Sequence, residues 1–155
     1  MQNKIDHPTP VLLLDSYWPY QVTVLADRIA RRTTSIVKQH QLNLSQWRVL
    51  AAVAETPGRT SVDVVRITPM DKGIVSRATK ALLSQGLIRR EASQLDGRIS
   101  HLHMTKQGQS LYSEIMPKVR DVLHQADTHL SIDELQQLTA QLQEMISAFP
   151  ASDER

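Results

Sequence analysis

The sequence predicts a mostly α-helical protein that carries one small β-hairpin. Three observations lead to this fold class. Apolar residues recur in steps of three and four positions along most of the 155 residues, which is helical spacing. Capping and helix-breaking residues interrupt this pattern at intervals, as expected at helix ends. Between positions 88 and 104 the spacing changes to alternation around an Asp-Gly pair, which is typical of a hairpin.

Polar capping residues delimit the first two helices. Asp15 or Ser16 can cap the first helix, which is expected to run to about His40. Asn43 or Ser45 can cap the second helix, which carries an apolar face. A Pro-Gly pair follows that face and is expected to end the second helix.

Two helices of unequal length follow. Thr60 or Ser61 is expected to cap a short helix at about 61–67. A proline then forces a break, because the residue before a proline avoids the helical conformation. A longer helix is expected at 70–85, and Gly86 is a suitable residue to end it.

A charged hairpin comes next. Strands are expected at 88–91 and 99–104, on either side of Asp96-Gly97. In the second strand, Leu102 and Met104 alternate with two histidines, so one face is apolar and the other is polar. A short helix, a turn, a longer helix and a hairpin in this order are the pattern of a winged helix-turn-helix. That fold places one helix in the major groove of DNA and the hairpin beside it.

Two more helices are expected to complete the chain. Thr105 can cap a fifth helix that extends to about Thr128, and Ser131 with Glu134 forms a capping box for the sixth. Apolar residues repeat along both helices, which have no other domain on which to pack. An intramolecular core is the alternative for such stripes, but we interpret the following residues as a dimerising surface: Leu111, Ile115, Val119, Val122, Leu123, Leu135, Leu138, Leu142, Met145 and Phe149.

Charge is segregated along the chain. Residues 59–106 carry nine Lys or Arg and four Asp or Glu, a net charge of +5, whereas the whole chain has only +2. This segregation indicates a polyanionic partner such as double-stranded DNA.

Several other classes of protein are not expected. The chain has no cysteine, which excludes disulfides and Cys-based metal sites. Its longest apolar run, residues 11–14, is too short to cross a bilayer. No nucleophile elbow, phosphate-binding glycine loop or pair of catalytic carboxylates is recognisable, so an enzyme is not expected. We expect a cytoplasmic protein that needs no cofactor and has no membrane partner.

Over about residues 14–148 the chain resembles the MarR family of bacterial transcription regulators. The resemblance implies a single domain at 1–155, a winged helix-turn-helix module at 42–106, and dimerisation helices at 12–40 and 107–149. It also implies a homodimer on a palindromic operator. The motifs that carry it are Leu44-Ser45-Gln46-Trp47-Arg48-Val49-Leu50, Thr60-Ser61, Asp71-Lys72-Gly73-Ile74-Val75-Ser76-Arg77, Gln85-Gly86-Leu87-Ile88-Arg89-Arg90, Asp96-Gly97-Arg98 and Leu102-His103-Met104-Thr105-Lys106-Gln107-Gly108.

Candidate DNA contacts lie at two helix starts. At Thr60 and Ser61, free backbone N–H groups and a hydroxyl favour a phosphate oxygen. Ordinary capping is the alternative, and both roles can hold at once. In the fourth helix, the side chains off the core stripe can meet bases and phosphates, or can form a merely solvated basic face. They are Lys72, Gly73, Ile74, Ser76, Arg77 and Lys80.

The hairpin tip supplies one further candidate. In proteins that the chain resembles, an Asp-x-Arg tip places its arginine in the minor groove, and the aspartate braces a neighbouring basic group. Asp96-Gly97-Arg98 matches this pattern, so Arg98 is expected in a narrow minor groove. The alternative is a turn with an idle arginine. Arg89 and Arg90 are expected to contact the DNA backbone or to form salt bridges.

The resemblance also implies an effector site. Family members often release DNA when a small aromatic acid enters a crevice between the dimer region and the DNA module. Arg48 could pair with a carboxylate, and Ser16, Tyr17, Trp18 and Tyr20 could line an apolar pocket. The alternative is that Trp18 and Tyr20 are core residues and that Arg48 belongs to a structural ion pair.

Two rival functions stay open. A winged helix can bind a protein partner instead of DNA, and a MarR-like regulator can use a metal ion as its effector. The candidate ligands are His101 and His103 on one strand face, and His124, Asp127 and His129 near a helix end. The spacing of both sets is loose, which favours ordinary surface or core histidines.

Overall fold

The computed structural model describes residues 11–127 and 129–149. Both ends of the expected 1–155 domain, and the expected helix end at Thr128, lie outside the described residues. Within them, six α-helices and a two-stranded antiparallel sheet follow a short 3-10 turn at Leu14–Ser16, which confirms the predicted fold class. The elements are α1 (Trp18–Lys38), α2 (Leu44–Glu55), α3 (Ser61–Ile67), α4 (Lys72–Ser84), β1 (Ile88–Ala92), β2 (Ser100–Met104), α5 (Lys106–Asp127) and α6 (Ile132–Ala148).

The core lies between α2 and α4, and the hairpin and α5 complete it. Leu50 of α2, Leu82 of α4, Leu102 of β2 and Ile115 of α5 are fully buried there. Burial of such a side chain contributes roughly 1.5–3 kcal/mol relative to exposure. Since α3 also anchors Val64 in this core, the short helix, the longer helix and the hairpin are held in fixed relation to one another.

Four helix starts are closed by side-chain caps, three of which sequence reasoning named. Asn43, Thr60 and Ser131 each form a capping box with the residue three positions later. Asp71 caps α4 by accepting the Ile74 N–H at 2.7 Å. Caps of this kind contribute about 1 kcal/mol each because they satisfy backbone N–H groups that the helix leaves free.

The prediction for the start of α1 was wrong. The N-cap residue is Tyr17, with no side-chain cap, and Asp15 and Ser16 lie in the preceding 3-10 turn. The Ser16 hydroxyl donates to the Leu13 carbonyl at 3.2 Å, so it closes its own turn. A proline in the first turn of α1 needs no N–H partner, which makes a side-chain cap less necessary.

The hairpin is braced by the loop that precedes α3. β1 and β2 pair antiparallel, with Arg90 opposite Leu102. On its other edge, β2 exchanges two backbone hydrogen bonds with that loop, from Gly58 N–H to the Leu102 carbonyl at 2.8 Å and from Leu102 N–H to the Arg59 carbonyl at 2.9 Å. His101 Nδ1 also donates to the Gly58 carbonyl at 2.7 Å. The wing is therefore tied directly to the start of α3.

The two terminal helices differ in how far they are buried. Ile115 and Val119 of α5 are buried in the protomer core, so their assignment to a dimerising surface was wrong. The reason is that α5 packs on both α1 and α2 within one chain. α6 has no buried residue, and its Ile146 and Phe149 are 70% and 73% exposed.

Candidate nucleic-acid interface

Two adjoining hollows form a continuous groove between α3, α4 and the hairpin, which we call the α3–wing groove. The first, of about 270 Å³, is lined by Ser61, Val62, Val65, Lys72, Val75, Ser76 and Arg90. The second, of about 470 Å³, is lined by Thr60, Ser61, Val62, Arg90, Arg98, Ile99 and Ser100. Six of the predicted DNA contacts therefore line one surface, and Arg90 lines both of its parts.

The start of α3 is a closed capping box. The Thr60 N–H and hydroxyl both donate to the Asp63 carboxylate, at 2.9 and 2.8 Å, and the Thr60 hydroxyl accepts the Asp63 N–H at 3.2 Å. These bonds, first from the Thr60 backbone and then from its hydroxyl, lower the pKa of Asp63 below its ordinary value. The Thr60 hydroxyl is thus used in the cap, although Thr60 borders the second hollow, whereas Ser61 lines both hollows.

The predicted contact residues of α4 divide into two groups. Lys72, Ser76, Arg77 and Lys80 are exposed. Ile74 is half-buried against the core, so its placement off the core stripe was wrong. Its position four residues before buried Ala78 puts it on that stripe.

Gly73 lies on the exposed side of α4, beneath the Arg77 side chain. A Cβ added to Gly73 would lie 3.4 Å from Arg77 Nη1 and 3.3 Å from Asp71 Oδ1. The absence of a side chain therefore leaves room for the guanidinium to fold back over the first turn of α4.

The wing tip is held by a set of short-range hydrogen bonds. Asp96 Oδ1 accepts the Arg98 N–H at 2.9 Å, and the Asp96 carbonyl accepts the Ile99 N–H at 2.9 Å. Asp96 was expected to brace a neighbouring basic group. That expectation was wrong, because its carboxylate accepts a hydrogen bond from the backbone N–H of Arg98 and has no ion-pair partner among the described residues. The brace fixes the tip, and the Arg98 side chain lines the groove.

Adjacent arginines on β1 have different surroundings. Arg89 is paired with Glu91, whose other oxygen lies 3.2 Å from His103 Nε2. The hydrogen bond from Arg89 is the largest cause that lowers the pKa of Glu91. Arg90 points to the opposite side of the strand, as alternation requires, and lines both halves of the groove.

Several positively charged side chains lie on this face without an ion-pair partner. Among the other cations of the module, Arg59 is paired with Glu55, Arg66 with Asp63 at 3.8 Å, and Arg89 with Glu91, whereas Arg48 and Lys106 are not paired among the described residues. Within residues 11–127 and 129–149, five cations of the groove and of α4 have no ion-pair partner. They are Lys72, Arg77, Lys80, Arg90 and Arg98.

A second groove, the Arg48 groove, lies on the side of α2 that faces α5. It encloses about 550 Å³ and is lined by Trp47, Arg48, Ala51, Ala52, Glu55, Ile67, Thr68, Pro69, Tyr112, Met116 and Val119. Trp47 and Tyr112 stack with ring centroids 5.3 Å apart. Arg48 is half-buried, and its guanidinium has no ion pair or hydrogen bond among the described residues, which contradicts the ion-pair alternative.

The other predicted effector residues do not reach this groove within one protomer. Ser16 lines a separate hollow together with Leu13, Leu14 and Asp15. Tyr17, Trp18 and Tyr20 are 40%, 51% and 41% exposed, so the alternative that placed Trp18 and Tyr20 in the core was wrong. Sequence reasoning missed Tyr112, which only the packing of α5 against α2 brings beside Arg48, and Glu55, which lies two helical turns after Arg48 on α2 itself.

The histidines do not assemble a metal site in the part of the chain that the structure describes, where no group of three or more potential ligands was found. His101 is bonded to the Gly58 carbonyl and His103 to Glu91. The side chain of Asp127 lies outside the described residues. None of the described helices is both long and apolar enough to cross a membrane.

Comparisons with known proteins find a matching family and a similar curated protein. Residues 40–99 match the MarR family. The homoprotocatechuate degradative operon repressor of Escherichia coli is 30% identical over 116 residues, which span 72% of this chain and 76% of that protein.

Solved structures show the same fold. A MarR-family regulator from Silicibacter pomeroyi superposes with a TM-score of 0.82 at 22% identity, covering 91% of this chain and 95% of that one. The MepR–DNA complex of S. aureus superposes with a TM-score of 0.75 at 18% identity, covering 87% and 98%. The proteins compared are transcription regulators and not enzymes, in agreement with the motifs.

Proposed function

The chain belongs to the MarR family of DNA-binding transcription regulators, and from this premise we propose that it is a homodimeric cytoplasmic repressor. Its operator is a palindrome, and a small aromatic carboxylic acid releases it from that operator. One observation carries the DNA-binding part: five cations without ion-pair partners within the described residues lie together on the α3–wing groove and α4. A polyanion compensates all five at once.

On this proposal, each part of the face has its own task. α4 enters the major groove, where Ser76 and Arg77 reach base edges and Lys72 and Lys80 meet phosphates. Arg98 enters the minor groove beside it, since the braced tip holds its backbone before DNA arrives.

The start of α3 and the inner strand contact the DNA backbone in this arrangement. Ser61 offers a hydroxyl and Arg90 a guanidinium to phosphates along the α3–wing groove. Thr60 contributes by ordering the helix start, because its hydroxyl is used in the capping box.

The dimer follows from the state of α6. Helices in proteins owe most of their stability to the packing of an apolar face, and α6 buries none of its residues in the protomer. Leu138, Leu142 and Ile146 form an exposed apolar stripe on it, and Leu25 and Ile29 are exposed on α1. A second copy of the chain covers these stripes and places two α4 helices on one operator.

The effector part rests on Arg48. A half-buried guanidinium without a partner among the described residues is available to an anion, and a carboxylate can pair with it in bidentate geometry. The stacked rings of Trp47 and Tyr112 and the Met116 side chain supply apolar walls for a flat ring. The name of the Escherichia coli relative refers to homoprotocatechuate, itself an aromatic carboxylic acid, which supports this class of ligand.

The DNA-binding part is tested with duplex DNA from upstream of the chain's own gene. The wild-type protein should bind it with an affinity that falls steeply with added salt. Arg98→Ala should cost about 1–3 kcal/mol of affinity and should leave the dimer and its melting temperature unchanged. No binding at low salt, together with binding to a protein partner, would support the protein-binding alternative.

The effector part is tested with a panel of aromatic acids scored by thermal shift and then by release of bound DNA. Arg48→Ala should retain operator binding and lose release by any acid that works on the wild type. Arg31→Ala, an exposed arginine of α1 that is paired with Asp27, is the control and should respond normally. A normal response of Arg48→Ala would show that the acid does not act through this groove.

A further inference from the structure

Glu55 takes part in both a groove lining and an ion pair. Its side chain lines the Arg48 groove, and its Oε2 accepts a hydrogen bond from the Arg59 guanidinium. Arg48 and Glu55 lie on the same side of α2, seven residues apart, so their backbones are about 10 Å apart along the helix axis. The groove therefore has a cation at one end and a carboxylate at the other.

Arg59 contacts both α2 and the wing, and it directly precedes the N-cap of α3. Its guanidinium donates to the Ala52 carbonyl of α2 at 2.8 Å as well as to Glu55. Its own carbonyl accepts the Leu102 N–H of β2 at 2.9 Å, and the next residue, Thr60, caps α3. The Arg59 side chain is only 18% exposed. A change in the pairing of the Arg59 side chain can therefore displace both β2 and the start of α3, which form the two sides of the α3–wing groove.

We propose that Glu55 determines which aromatic acids act as effectors, and that it does so by accepting a hydrogen bond from a hydroxyl at the end of the ring opposite the carboxylate. The ligand class is hydroxyaryl carboxylic acids with the hydroxyl remote from the acid group. This inference rests on the proposed effector function of the Arg48 groove.

The chemistry of the two ends supports this class. Glu55 is 69% exposed, and its Oε1 has no partner among the described residues, so it is open to a ligand. A phenolic hydroxyl on a carboxylate makes a charge-assisted bond, which is shorter and stronger than a neutral one. A hydroxyl next to the acid group lies beside Arg48 and does not reach Glu55.

The same contact couples the ligand to the DNA face. A hydroxyl bound to the Glu55 carboxylate draws it towards the groove and competes with Arg59 for its charge. Arg59 then loses one of the two acceptors of its side chain, and the junction between β2 and the start of α3 loosens. In this step Glu55 acts as a positioning residue for DNA binding, through Arg59.

The test uses cinnamate, 2-hydroxycinnamate and 4-hydroxycinnamate as probes, with binding measured by calorimetry and DNA release by fluorescence anisotropy. The wild-type protein should prefer the 4-hydroxy acid over cinnamate by roughly tenfold, the value of one charge-assisted hydrogen bond. It should bind 2-hydroxycinnamate no better than cinnamate. In Glu55→Ala the preference for the 4-hydroxy acid should disappear.

Glu55→Ala should also bind operator DNA several-fold more weakly without any ligand, because Arg59 has lost its ion pair. Asp27→Ala is the matched control: it removes an exposed carboxylate from an ion pair of the same i, i+4 spacing on α1. That variant should keep both the ligand preference and the DNA affinity of the wild type.

Equal affinity of the wild type for cinnamate and 4-hydroxycinnamate, or failure of all three acids to bind, would overturn the proposal even if Glu55→Ala did not fold. A preference that survives in Glu55→Ala would overturn it as well. The proposed function is judged separately, because release of DNA by cinnamate through Arg48 would uphold the effector function. DNA affinity that is unchanged in Glu55→Ala would overturn the coupling through Arg59.

Discussion

Replacing Arg90 by glutamine should lower both the affinity for DNA and its dependence on salt. Arg90 lines both halves of the α3–wing groove and has no ion-pair partner within the described residues. Arg89, the adjacent residue, is paired with Glu91 and lies on the other side of the strand. Arg89→Gln is therefore a control that changes the same formal charge on the same strand.

The size of the effect follows from counterion release. Each phosphate neutralised on B-DNA contributes about 0.9 to the slope of log K against log salt. If each protomer of a dimer neutralises one phosphate fewer, that slope falls by about 1.8. Extrapolated from 1 M salt down to 0.1 M, this difference corresponds to about 1.8 decades of affinity, or about 2.4 kcal/mol.

The assay is fluorescence anisotropy with a labelled operator duplex, at four or more salt concentrations, for the wild type and both variants. Arg90→Gln should show the lower slope, and Arg89→Gln should show the slope of the wild type. Equal slopes for Arg90→Gln and the wild type would remove Arg90 from the phosphate-binding residues. Equally weakened binding in the two variants would indicate a long-range charge effect in place of a direct interaction.

Three further predictions concern stability. Gly108→Ala should lower the melting temperature by several degrees and cost about 1–3 kcal/mol or more, because a Cβ there would lie 2.0 Å from the Leu87 carbonyl oxygen; a melting temperature equal to the wild type would refute the close approach. Thr79→Val should leave stability unchanged or raise it by about 1 kcal/mol, because the buried Thr79 hydroxyl has no hydrogen-bond partner among the described residues; a clear loss in chemical denaturation would reveal a partner. The pKa of Asp63 is lowered in the folded state, first by the Thr60 backbone, so its contribution is present above the ordinary value of 3.8 and is lost as the pH falls below it. The stability difference between the wild type and Asp63→Asn should therefore shrink on acidification through that range, and a difference independent of pH would contradict this role.

The features that sequence reasoning predicted correctly are those set by residues close together in the chain. The capping boxes at Thr60 and Ser131 join residues three positions apart, and their pattern is legible without knowledge of the fold. The end of α4 at Gly86, which has a φ of 69°, is equally local, because glycine adopts that left-handed conformation without strain.

The features that were missed depend on packing between distant segments. An apolar stripe on a helix has the same pattern whether it faces its own chain or a second copy, so Ile115 could not be assigned to the core in advance. The groove around Arg48 is completed by Tyr112, which lies more than sixty positions away on another helix. The i, i+4 spacing of Glu55 and Arg59 is visible in the sequence. The connection of this ion pair to the wing is not, because it depends on the hydrogen bond between β2 and the Arg59 backbone.

On the proposed function, two copies of this chain bind one palindrome through their α4 helices and wings. In vitro selection of bound duplexes from a random-sequence library tests this arrangement most directly. The selected sequences should contain two inverted half-sites with centres about 10 base pairs apart. A single isolated half-site, or no enrichment at low salt, would contradict the claim.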